Sequence, residues 1–187
     1  MMAKWYRDKA TISVRGGDAP TRKLIREMAH YCAKKLMTVQ LRTQVTINFV
    51  ITKDLYLTEK VQGLSWIDCE EYRPKKFKIQ VEHESKLRPL LETVAHEMVH
   101  IKQWAVGDMY EYSDGNRTRY KKKQYNNQKI DYWDSPWEIE AHGKEVGLFV
   151  RFCEDEGYKD EKWAKVDFLK PEYAKKIAKH IKAKRKK

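Results

Sequence analysis

The sequence predicts an α+β domain: a small, mostly antiparallel sheet packed on a helix that carries His96-Glu97-Met98-Val99-His100, with a second ligand-bearing helix beside it. Three observations lead there. Short β-branched runs alternate between apolar and polar residues. Two longer runs repeat their apolar residues at helical spacing. Most of the strand-like runs precede the first of those two helices.

The elements follow in order. Residues 11–14 alternate as a short strand, stopped by Gly16 and Gly17. Asp18 and Pro20 then open a helix that runs to about Met37, with Leu24, Met28, Tyr31 and Cys32 on one face. Residues 45–51 form a β-rich strand, and residues 63–70 (around Trp66) and 77–81 alternate as two more. A helix over residues 87–106 carries the pentapeptide, and Gly107 closes it. Residues 109–125 are polar and tyrosine-rich, which reads as a hairpin or a mobile loop. A second core helix starts at Ser135-Pro136 and runs to about Glu156. A terminal helix spans residues 171–182. There is no internal repeat and no linker, so residues 1–170 read as one domain and 171–187 as a basic C-terminal helix or tail.

Composition narrows the class. The chain has 187 residues, 41% hydrophobic and 12% aromatic, which excludes a disordered protein. No apolar run reaches membrane-spanning length, and residues 1–9 hold no signal-peptide core. The expectation is a cytoplasmic, non-secreted protein without a membrane partner. Cys32, Cys69 and Cys153 are odd in number and far apart, as reduced buried thiols would be. Eight of the net twelve positive charges lie in residues 174–187, which contain no acid. Such a tail suits either the negative end of a helix dipole or a sequence-independent grip on nucleic acid.

The pentapeptide carries the chemistry. Residues four apart share a helix face, so His96 and His100 can aim two imidazoles at one metal ion. Glu97 lies beside them, where it can hold a water and take its proton. Left without a metal, two imidazoles and a carboxylate on an inward face would need other partners to offset their burial.

Catalytic zinc usually has three protein ligands, so a third must come from elsewhere. At helical spacing Trp137, Ala141, Leu148 and Phe152 form an apolar face. Glu138 and Glu145 fall within its arc, and His142 sits at its edge. Glu140 falls opposite, one turn before Lys144, as a surface ion-pair partner. Glu138 is the expected third ligand and His142 its competitor. Glu138 has another reading, since Ser135-Pro136-Trp137-Glu138 also fits a capping box.

With these residues the chain resembles zincin metallopeptidases, chiefly the gluzincin branch. There a downstream helix supplies the third ligand as the first Glu of an E-x-E-A pattern, which Glu138-Ile139-Glu140-Ala141 matches. His142 stands where that branch often has Asp or Asn. The resemblance implies a zincin-like core, a Zn2+ cofactor and a peptide or protein substrate. It also implies that the last strand before the metal helix, residues 77–81, borders the cleft and pairs with substrate backbone. The Pro136-to-Ala141 segment is similar to that of small phage-encoded metallopeptidase-like proteins. A rival resemblance is to SprT-like proteases through His142-Gly143, with Val146 in place of an aromatic residue. That rival implies action on DNA-associated proteins. The other alternative is a basic nucleic-acid-binding or phage structural protein with a non-catalytic zinc site. Tyr110, Tyr112, Tyr120, Tyr125 and Tyr132 could each supply a donor to an oxyanion, and the sequence does not choose among them.

Overall fold

The computed structural model describes residues 9–67 and 72–165. The terminal helix expected at 171–182, the basic tail and Cys69 lie outside these residues.

Strand β1 (Thr11–Arg15) leads into helix α1 (Ala19–Leu36), capped by the Asp18 side chain, which accepts a hydrogen bond from the Thr21 N–H. The one-turn helix α2 (Val39–Arg42) precedes strand β2 (Thr46–Thr52). The short helix α3 (Leu55–Glu59), strand β3 (Gly63–Ile67) and strand β4 (Lys76–Glu82) follow. Helix α4 (Leu87–Val106) carries the pentapeptide. It ends at Gly107, whose φ of 80° favours glycine and whose N–H donates to the Trp104 carbonyl. Strands β5 (Met109–Glu111), β6 (Arg117–Tyr120) and β7 (Lys123–Asn126) come next. A 3-10 turn at Tyr132–Asp134 then leads into helix α5 (Pro136–Asp155).

The main sheet has the order β1-β2-β4-β3. The sequence predicts a mostly antiparallel sheet. Instead β1 and β2 pair in parallel, as do β2 and β4, and only β3 runs antiparallel, against β4. The reason is connectivity: α1 carries the chain back to the starting end of the sheet before β2 begins, which a hairpin cannot do. Sheet order also corrects the cleft-bordering strand. Residues 77–81 lie in β4, flanked on both sides, so their backbone groups are already paired. Among the described residues the edge strand on the β4 side is β3, and β1 is the edge at the other end.

Ile47, Phe49, Phe77, Ile79 and Val81 point into the core from alternate positions of β2 and β4. Helix α4 is buried nearly all round, from Leu90 to Ala105, because the sheet, α1 and α5 enclose it. On α5 the core stripe is Ala141, Phe149, Phe152 and Cys153, with Trp137 and Leu148 partly buried at its margin. Cys32 and Cys153 are buried free thiols. Among the described residues no helix is long and apolar enough to cross a membrane. The tyrosine-rich segment is a three-stranded antiparallel meander, β5-β6-β7.

Candidate metal centre

Helix α4 brings His96, Glu97 and His100 to its junction with α5, where they are 8%, 5% and 6% exposed. At this depth each polar atom needs a partner or a cation. The outer imidazole nitrogens are held. His96 Nδ1 lies 2.8 Å from Glu145 Oε2, and His100 Nδ1 lies 2.9 Å from Gln103 Oε1. Gln103 Nε2 donates to the Trp137 carbonyl at 3.0 Å, which fixes the amide with its oxygen toward His100. A carboxylate and an amide oxygen can only accept, so each Nδ1 carries its proton. In the neutral rings both Nε2 atoms then present lone pairs.

Those lone pairs converge. His96 Nε2 and His100 Nε2 are 3.0 Å apart, and Glu138 Oε2 lies 3.3 and 3.4 Å from them. Ligand atoms bound tetrahedrally at about 2.0–2.1 Å would be about 3.3 Å apart. The triangle therefore has the size of one face of such a site. Glu138 Oε2 is buried without a conventional hydrogen-bond partner. Three acceptors around one point demand positive charge there, as bound protons or as a metal ion. In the metal-free protein the charge is protonic. Burial opposes a charged His96, but Glu138 and Glu145 prevail and raise its pKa to about 9. His100 shifts upward in the same way. Burial likewise opposes ionisation of Glu138, yet His100 and His96 hold its carboxyl far below the ordinary range.

The capping-box alternative is not formed. Ser135 makes no side-chain cap and donates instead to the Asp131 carbonyl, leaving Glu138 free to turn toward the histidines. His142 is also close. One ligand atom each of His96, Glu138 and His142 lies within 4.8 Å of the others, and this group could hold a metal ion. Both His142 nitrogens have partners, however: Nδ1 is 3.1 Å from Glu145 Oε2, and Nε2 is 3.1 Å from the Tyr132 hydroxyl. Glu145 thus orients His96 and His142 together.

Glu97 faces the start of β3. A Cβ on Gly63 would stand 2.7 Å from Glu97 Oε1 and 2.4 Å from Thr93 Cγ2, so only glycine lets the edge strand lie this close. Of the five candidate tyrosines, Tyr132 reaches the ligand cluster. Burial and the neighbouring Glu138 raise its pKa, keeping the phenol protonated as a donor. Trp133 packs against His142, with ring centroids 4.9 Å apart and planes tilted by 31°, and is 67% exposed, at the rim.

Glu140 departs from its predicted surface position. It does pair with Lys144, but its side chain is only 14% exposed. It also accepts from Tyr120 and Gln103 and faces Lys102 at 3.7 Å and Lys121 at 3.6 Å. The meander folds over this side of α5 and covers it. Sequence reasoning did not assign Gln103 or Gly63 a role. Gln103 had a readable signal, three residues after His100 on the same face. Gly63 had none.

No protein-family model matches the chain, and neither a curated protein nor a solved structure matches it.

Proposed function

We propose that the protein is a zinc-dependent metallopeptidase whose metal is held by His96, His100 and Glu138. The supporting observation is the convergence of their three lone pairs at tetrahedral spacing, with Glu97 adjoining and a free sheet edge next to Glu97. Two imidazoles and one carboxylate form a donor set suited to zinc, with a fourth position left open. Zinc held there supplies Lewis acidity, making water a nucleophile near neutral pH.

The chain's own residues do the rest. Glu145 and Gln103 keep the two ligand imidazoles in the tautomer that turns Nε2 inward. The outer edge of β3 pairs with an extended peptide and sets its scissile carbonyl beside Glu97. Glu97 takes the proton from the attacking water and returns it to the departing amine nitrogen. The Tyr132 hydroxyl turns its one proton from His142 Nε2 to the carbonyl oxygen as that oxygen gains charge. His142, its Nδ1 proton held by Glu145, accepts the hydroxyl's hydrogen bond in the free protein and keeps the hydroxyl at the site.

Glu97→Gln tests the reading directly. The variant is expected to keep about one zinc per chain, measured by plasma emission, and to lose hydrolysis of an unfolded protein substrate by about a hundredfold or more. Wild-type protein that binds no stoichiometric zinc, or a Glu97→Gln variant that stays fully active, would overturn it.

A further inference from the structure

The outward face of the meander carries a continuous ladder of aromatic rings and guanidinium groups. Tyr110 pairs across β5 and β6 with Arg119, and Arg119 pairs across β6 and β7 with Gln124. These side chains share one face, opposite Tyr120 and Tyr125, which pack inward on Trp137. Arg73 lies over Tyr72 at 5.2 Å. Arg119 lies between Tyr72 and Tyr110, at 4.9 and 5.5 Å from their rings. Tyr110 meets Tyr112 edge-on at 5.1 Å, and Arg117 covers Tyr112 at 4.7 Å. Among the described residues neither Arg73 nor Arg119 has a carboxylate partner, while Arg117 is matched by Asp114. Tyr72 is 53% exposed.

In the β6–β7 turn Lys121 and Lys122 have φ of 46° and 71°, and the Lys121 ammonium turns to the inward side, over Tyr120 and toward Glu140. Such positions favour Asn and Gly, because a side chain with positive φ is strained. Lys122 holds a cation at the tip against local conformational preference.

We propose that this face binds single-stranded nucleic acid. The tyrosine rings accept unstacked bases as the guanidinium groups that lie over them, Arg73 and Arg119, swing out to the phosphates. A duplex keeps its bases stacked inside and would leave the tyrosines unused. The surface is separate from the proposed metal site, so neither reading depends on the other.

The test is fluorescence anisotropy of the full-length protein with a labelled oligothymidylate of about 20 nucleotides, beside a duplex of equal length. Tyr72→Ala and Arg119→Gln alter solvent-facing side chains of the ladder. A further full-length variant replaces Lys182, Lys184, Arg185, Lys186 and Lys187 with Gln. The expected result is tighter binding of the single strand than of the duplex. Tyr72→Ala and Arg119→Gln should each weaken it about fivefold or more, with zinc content and circular dichroism unchanged. Equal affinity for the duplex would overturn the proposal. So would unchanged affinity in both ladder variants, or a loss of binding confined to the tail variant.

Discussion

At the scale of single residues, the centre is governed by one rule: three lone pairs cannot face one another without a cation. The histidine protons and the metal ion compete for the same place. His96 has its pKa raised from 6.5 to about 9 in the metal-free protein. Its contribution to stability is therefore fully present below pH 6.5 and is lost as pH rises through about 9. Metal-free protein should lose thermal stability across that window, and zinc-loaded protein should not. Calorimetric melting of both forms at a series of pH values checks this. Zinc binding should also release protons below pH 9, read by titration calorimetry in buffers of different ionisation enthalpy. The pentapeptide was legible in the sequence because its geometry is local: four residues of helix fix the two rings. Glu138 was legible because helical spacing alone placed it inward. The orienting role of Glu145 was not, since it depends on how α5 is set against α4.

At the scale of elements, the strands were readable from their alternation and their pairing order was not. Alternation says which face of a strand is buried, and nothing within β3 or β4 says which of them is outermost. That order decides which strand could pair with an added backbone, as the proposed peptide substrate would require. Gly63 opens the edge strand, and the space its absent side chain leaves is filled by Thr93 and Glu97. Gly63→Val should therefore push β3 off α4 and displace Glu97. The expected outcome is a drop in hydrolysis of about tenfold or more with zinc retained, plus a stability loss of about 1–3 kcal/mol. Activity and metal content measured on the same preparation separate displaced Glu97 from lost metal. At this scale too the meander differed from the hairpin or mobile loop read from its polarity. Its inward residues, Met109, Thr118, Tyr120 and Tyr125, are mixed in character, which hid the alternation.

At the scale of the whole molecule, Glu140 joins the parts. It lies on α5, receives Lys144 from the same helix and Tyr120 from the meander, and meets Gln103 and Lys102 from α4. Through Gln103 the same network reaches His100, so the cover of the site and the aim of one proposed ligand rest on a single carboxylate. No reading of α5 alone could show this, because the burial comes from strands that follow α4. Burial opposes ionisation of Glu140, but Lys144, Tyr120 and Lys102 lower its pKa from 4.5 to about 2. Its contribution to stability is present above pH 4.5 and is lost as pH falls through about 2. Glu140→Gln removes the charge while keeping the shape, leaving Lys102 and Lys144 without their shared partner. The expected cost is about 2 kcal/mol near neutral pH, a drop in melting temperature of about 4–8 °C. The gap between variant and wild type should close as the pH approaches 2, because protonation then does to the wild type what the substitution has already done. A constant gap down to acid pH would show that Glu140 acts through its hydrogen bonds and packing, with no contribution from its charge.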